Sequence, residues 1–191
     1  MQDFIKYLQR YVSIRSEEES KIISNLTTRS YLKGQYILQA GDICRHQSHI
    51  IKGKARTFYL DKSGTEHVLM FAIENWWVAD LDSFSNQMPA QFNIQCLENT
   101  DVVQIPFENY EKLLRDVPVM ERFFRMIIQK AFANMSTRII RNNAMSAKER
   151  YLLFCEQYPQ MTQRVPLYMV ASYLGITKEH LSSIRSEIAN S

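Results

Sequence analysis

Cysteine is scarce in this chain of 191 residues: three, at positions 44, 96 and 155, with no CxxC pair among them. An odd number of widely spaced thiols cannot close a disulfide framework, so Cys44, Cys96 and Cys155 are expected to be structural thiols in a reducing compartment. Histidine is nearly as sparse, and of the four only His46 and His49 sit close together. Nothing around that pair reads as a helix, so its spacing does not supply a tetrahedral geometry, and no metal is expected. Long apolar runs are missing as well. No stretch approaches the roughly 18 uninterrupted apolar residues of a membrane span. The opening MQDFIKYLQRYVSIRSEEES carries charges throughout and lacks the apolar centre and small-residue cleavage site of a signal peptide. A cytoplasmic protein without a membrane partner is expected. Also absent are a glycine-rich phosphate loop, an HExxH helix and a nucleophile–base pair. His46, His49, Glu66 and His67 are too thin a set for a catalytic roll, which argues against an enzyme and predicts no cofactor.

What is present is an ordinary apolar fraction, 46%, enough to build a core. Charge is unevenly placed. Residues 1–119 hold 13 Lys/Arg against 15 Asp/Glu, whereas residues 120–191 hold 10 against 5. A basic end on a mildly acidic front is what a protein meeting a polyanion with one end requires.

The periodicity changes along the chain. Phe4, Ile5, Leu8, Tyr11 and Val12 recur at helical spacing, and Ser16 with Glu19 reads as a capping box ahead of Ile22, Ile23 and Leu26. From about Thr28 to Ile105 short β-rich runs take over, at 30–32, 36–39, 49–52, 55–60, 67–73, 92–98 and 102–105. Turn signals separate them: Lys33-Gly34, Gly41-Asp42, Lys52-Gly53-Lys54 and Asp61-Lys62-Ser63-Gly64. Strands this short and this regularly spaced predict an antiparallel roll or barrel. A helix follows over 107–116, broken by Val117-Pro118. The longest helical run then extends from Val119 to about Asn143, close to 37 Å at the usual rise. Its apolar face, Met120, Phe124, Ile127 and Ala131 beside Phe123, Ile128, Phe132, Met135 and Ile139, is too broad for one neighbour and predicts pairing with a second copy, the alternative being a helix buried inside a monomer. Ser146 and Glu149 make another capping box before a helix that Pro159 ends.

Residues 165–185, VPLYMVASYLGITKEHLSSIR, fit a helix-turn-helix wherever geometry is restrictive. Ala171 is small where two helices cross, and Gly175, four residues on, tolerates the positive φ of a tight turn. Thr177 is an N-cap, and Leu181 and Ile184 face Val170 and Leu174. In such a motif the second helix enters the major groove, which here presents Thr177, Lys178, Glu179, His180, Ser182, Ser183 and Arg185 to bases and phosphates. A solvated helix face would carry the same residue types.

Helix, roll, long helix and helix-turn-helix in that order resemble the Crp/Fnr family of regulators, over nearly the whole chain. Gly34, Gly41-Asp42 and Lys52-Gly53-Lys54 match turns of the family's roll. Glu74-Asn-Trp-Trp-Val-Ala-Asp80, followed by Ser83-Phe84, sits where the family places its phosphate-binding cassette, and residues 94–98 and 100–105 look like the strands beyond it. Glu74 with Trp76-Trp77 is similar to the branch common in Bacteroidetes-type bacteria. The resemblance implies an α+β protein in three parts. An antiparallel β-roll of the double-stranded β-helix, cyclic-nucleotide-binding type occupies 1–117, a dimerisation helix 118–144, and a helix-turn-helix 145–191. It implies a homodimer that binds a near-palindromic DNA operator and works with RNA polymerase. The family's cassette reads Gly-Glu-Leu and then an arginine that pairs with the ligand's phosphate. Here Ala79-Asp80-Leu81 opens it, and Ala90 and Gln91 stand where the arginine belongs. Without that charge-assisted pair ordinary cyclic AMP binding is not expected. What is left is a degenerate pocket of Trp76, Trp77, Asp80, Leu81, Ala90 and Gln91 for another small effector, the tryptophans serving equally well as core. The cysteine cluster of the family's iron–sulfur branch has no counterpart before Cys44, and the β-hairpin wing beyond the second helix is expected to be missing or truncated. The rival reading is a small-molecule-binding roll whose C-terminal helices make protein contacts.

Overall fold

The apolar spacing at the N-terminus, continuous in sequence, is divided in space. In a computed structural model, which describes residues 1–159, 161 and 164–190, it forms two helices, α1 (Gln2–Gln9) and α2 (Ser16–Ser24). The start of α2 differs from the expected Ser16–Glu19 box. Arg15 is the N-cap, its backbone N–H donates to the Glu18 carboxylate at 2.8 Å, and its guanidinium pairs with the same group. Ile22, on the inner side of α2, is wholly buried.

Eight short strands follow: β1 (Thr27–Tyr31), β2 (Tyr36–Leu38), β3 (His46–Lys52), β4 (Ala55–Leu60), β5 (Glu66–Ala72), β6 (Trp77–Val78), β7 (Asn93–Cys96) and β8 (Thr100–Pro106). They pair antiparallel in two four-stranded sheets, ordered β1-β8-β3-β6 and β2-β7-β4-β5. Period-two alternation sends Ile50, Val102, Ala55 and Ile94 into the space between the sheets and their neighbours to the outer faces. The turn from β3 to β4 has one solution. Gly53 has φ +100°, and a Cβ there would lie 2.6 Å from the Asn99 carbonyl oxygen. Two elements escaped the sequence reading, β6 and the short α3 (Leu81–Asn86). A two-residue strand has no period of its own; β6 exists because β3 supplies its ladder.

Helices cover both outer faces. On the first sheet lie α1, α4 (Phe107–Asp116) and the start of α5 (Val119–Ala144), sealed by Phe4, Leu8, Val103, Ile105, Leu113, Met120 and Phe123. On the second lie α6 (Ala147–Gln157), α7 (Leu167–Leu174) and α8 (Lys178–Ala189). Here Phe58, Val68 and Phe71 of the roll share one core with Phe154, Met169, Val170, Leu174 and Leu181. The helix α5 runs 26 residues, and beyond Ile127 its apolar side is uncovered. Ile128, Phe132, Met135, Ile139 and Ile140 are 46 to 73% exposed. Among the described residues no helix is long and apolar enough to cross a membrane.

Candidate nucleic-acid interface

The turn between α7 and α8 is built from local chemistry. Gly175 closes α7 in the left-handed region, φ 69° and ψ 35°. That conformation lets the Ile176 N–H return to the Ala171 carbonyl at 3.1 Å, satisfying an acceptor the helix end would leave open. Thr177 then caps α8, its hydroxyl accepting from the His180 N–H at 3.2 Å. Ala171 is buried at the crossing, and Leu181 and Ile184 turn inward. Inward-facing residues three apart leave the opposite face of α8 to solvent. Thr177, Lys178, Glu179, His180, Ser182, Ser183 and Arg185 are all exposed, spread around the part of α8 that Leu181 and Ile184 do not occupy. Ser186, which the sequence reading passed over, continues that surface; its hydroxyl donates to the Ser182 carbonyl at 3.1 Å. With Ser182, Arg185 and Ala189 it lines a shallow groove. The N-terminal end of α8, where a helix carries partial positive charge, is free to approach an anion.

The six residues expected to form a ligand pocket are dispersed. Trp77 turns to the outer face of the first sheet, its ring 5.2 Å from His49 and 5.8 Å from Phe4. Adjacent on the chain, Trp76 lies 6.1 Å from Tyr158 beyond α6. Asp80 is buried with both oxygens engaged, one accepting from the Ser83 N–H at 3.1 Å as cap of α3, the other from the Gln91 N–H at 2.9 Å. Leu81 and Gln91 are exposed and Ala90 is buried. The roll holds a half-open cavity of about 150 Å³, lined instead by residues that include Leu38, Cys44, His46, Ser48, Val78 and Ile94. Pockets for ligands of drug size run to roughly 300–1,000 Å³, so this space as it stands is short of a nucleotide's needs. Cys44 and Cys96 are buried, which raises both thiols above their ordinary range.

His46 and His49, three apart on β3, fall on opposite faces of the sheet. His46 lines the cavity, while His49 is enclosed by Phe4, Tyr7 and Trp77 with ring centroids 5.0, 4.3 and 5.2 Å away. Both His49 nitrogens are buried without a hydrogen-bond partner, and burial pushes its pKa down to about 3.

The roll and the turn motif define a class, and comparison with known proteins agrees. Residues 28–117 match the cyclic nucleotide-binding domain family. The chain is 25% identical over 182 residues to the regulatory protein HlyX of Actinobacillus pleuropneumoniae, spanning 88% of this chain and 75% of that one. Its fold is similar to the global regulator CLP of Xanthomonas campestris, described as c-di-GMP responsive: TM-score 0.76, 12% identity, 92% of each chain. FixK2 of Bradyrhizobium japonicum is also similar, TM-score 0.71 at 16% identity over 86% of this chain and 85% of that one. Together these likenesses support a transcription regulator of the Crp/Fnr type.

Proposed function

We propose that this protein is a homodimeric, sequence-specific DNA-binding regulator that acts by binding rather than by catalysis. Two copies pair along the uncovered stripe of α5, and their α8 helices enter successive major grooves of a near-palindrome about one helical turn, roughly 34 Å, apart. The observation that carries this reading is the division of α8: Leu181 and Ile184 are packed, while Lys178, Ser182, Ser183 and Arg185 are open to solvent. Lys178 and Arg185 suit phosphate or guanine edges, Glu179 a cytosine amine, and the serines short contacts to either.

The effector, if the roll binds one, is a small molecule other than cyclic AMP. Ala90 offers no charge to a phosphate, and both oxygens of Asp80 already accept backbone N–H groups. The test of the DNA reading is selection of bound duplexes from a random pool, followed by a Lys178→Ala, Ser183→Ala double substitution. Both side chains are exposed, so the variant should remain a folded dimer while losing about 1–3 kcal/mol of discrimination for each base pair it reads. Unchanged sequence preference refutes the assignment of α8. Salt-independent binding, or none, favours C-terminal helices that make protein contacts.

A further inference from the structure

Among the described residues β5 is the last strand of the second sheet, with no strand on its far side. An open edge presents unpaired backbone donors and acceptors. Two of them are taken by one side chain. The Ser172 hydroxyl, on α7, donates to the Glu66 carbonyl at 2.7 Å and accepts from the Val68 N–H at 2.9 Å. A hydroxyl combines the donor and acceptor that a neighbouring strand would have supplied from two backbone groups. Further along the same edge Arg138, on α5, donates to the Leu69 carbonyl and to that of Val68 at 3.5 Å. The same guanidinium donates to the Tyr173 carbonyl at 2.9 Å and lies 4.2 Å from the centre of the Tyr173 ring. Roll, long helix and helix-turn-helix therefore meet on one planar cation and one hydroxyl. The contact uses α7 alone and leaves the outer face of α8 open.

We propose that Ser172 and Arg138 are positioning residues that clamp the helix-turn-helix to the free edge of β5 in the orientation from which paired α8 helices read DNA. The inference rests on the DNA-binding reading above. Two recognition helices engage a two-part site together only when their separation suits both halves. A separation held before binding spares the ordering cost that a loosely tethered pair must meet. The clamp accordingly acts on the whole site and not on a half-site, whose contacts come from one α8.

The test uses the full chain with Ser172→Ala, Arg138→Lys and a Ser172→Ala, Arg138→Ala double variant, each checked for folding by circular dichroism. Ser13→Ala, exposed between α1 and α2, is the control. Without DNA, exchange of the Val68 amide should quicken about tenfold when Ser172 loses its hydroxyl and stay unchanged in the control. With the duplex the wild type selects from a random pool, the double variant should bind the whole palindrome about tenfold more weakly while matching wild type within about twofold on a single half-site. Arg138→Lys keeps the charge but not the flat fork, and should fall with the double variant on the palindrome. Unchanged Val68 exchange in the double variant overturns the clamp, and so does an undiminished preference for the whole site. If wild type binds no duplex at all, the DNA reading falls with the orientation claimed here, and Val68 exchange alone decides whether the contact exists.

Discussion

Replacing His49 with phenylalanine should remove a defined share of this protein's sensitivity to acid. The imidazole is about 1% exposed, ringed by Phe4, Tyr7 and Trp77, and neither nitrogen has a partner. Its pKa is held near 3 by burial, against an ordinary 6.5. The folded state therefore refuses a proton that the unfolded chain accepts below pH 6.5. The sign follows: between about 6.5 and 3 the unfolded state binds more protons, so stability is complete above that window and drains as pH falls through it. Each pH unit is worth about 1.4 kcal/mol, so lowering pH from 7 to 5 costs roughly 2 kcal/mol from this residue alone. Phenylalanine fits an aromatic enclosure and carries no buried polar atoms, so at pH 7 the variant should lie within about 1.5 kcal/mol of wild type. Urea unfolding of both proteins at pH 7 and pH 5, at one protomer concentration, isolates the effect, because other titrating groups cancel in the difference. Wild type should lose roughly 2 kcal/mol more than the variant between the two pH values. Equal losses would refute the claim that His49 is held neutral in the core.

Glycine substitutions should separate space from conformation. Gly175→Ala meets nothing within 4 Å and faces only the left-handed φ, about 1 kcal/mol, whereas Gly53→Ala adds a collision with Asn99 and Thr100 and should cost several times that in thermal unfolding. If the two melt alike, the close approach at Gly53 is not what restricts that turn. On α5, Phe132→Glu with Met135→Glu should convert a sedimenting dimer to monomer and leave the roll folded, since both side chains are more than 60% exposed. A dimer that survives both charges places the interface elsewhere.

Much of this architecture was legible because its signals are short. The Ser146–Glu149 box, the Thr177 cap and the left-handed Gly175 each act over about three or four residues. The roll was legible for a similar reason, since strand alternation and turn residues repeat along the chain itself. The expected ligand pocket was placed by position in a cassette, and position does not say which way a side chain turns. Trp76 and Trp77 are neighbours in sequence yet go to different clusters because Trp77 opens β6 against β3 while Trp76 lies just before the strand.

The chain by itself determined where α6 and α8 begin and where α7 ends, the alternation of its strands and the exposed side of α8, all consequences of backbone geometry within a few residues. Only the tertiary structure decided that His49 would be sealed among aromatic rings and that Ser172 would complete the edge of β5. Ser172 meets Val68 across a sequence separation of 104 residues. No local pattern encodes that meeting; it comes from packing the C-terminal helices on the outer face of a sheet whose edge still had hydrogen bonds to make.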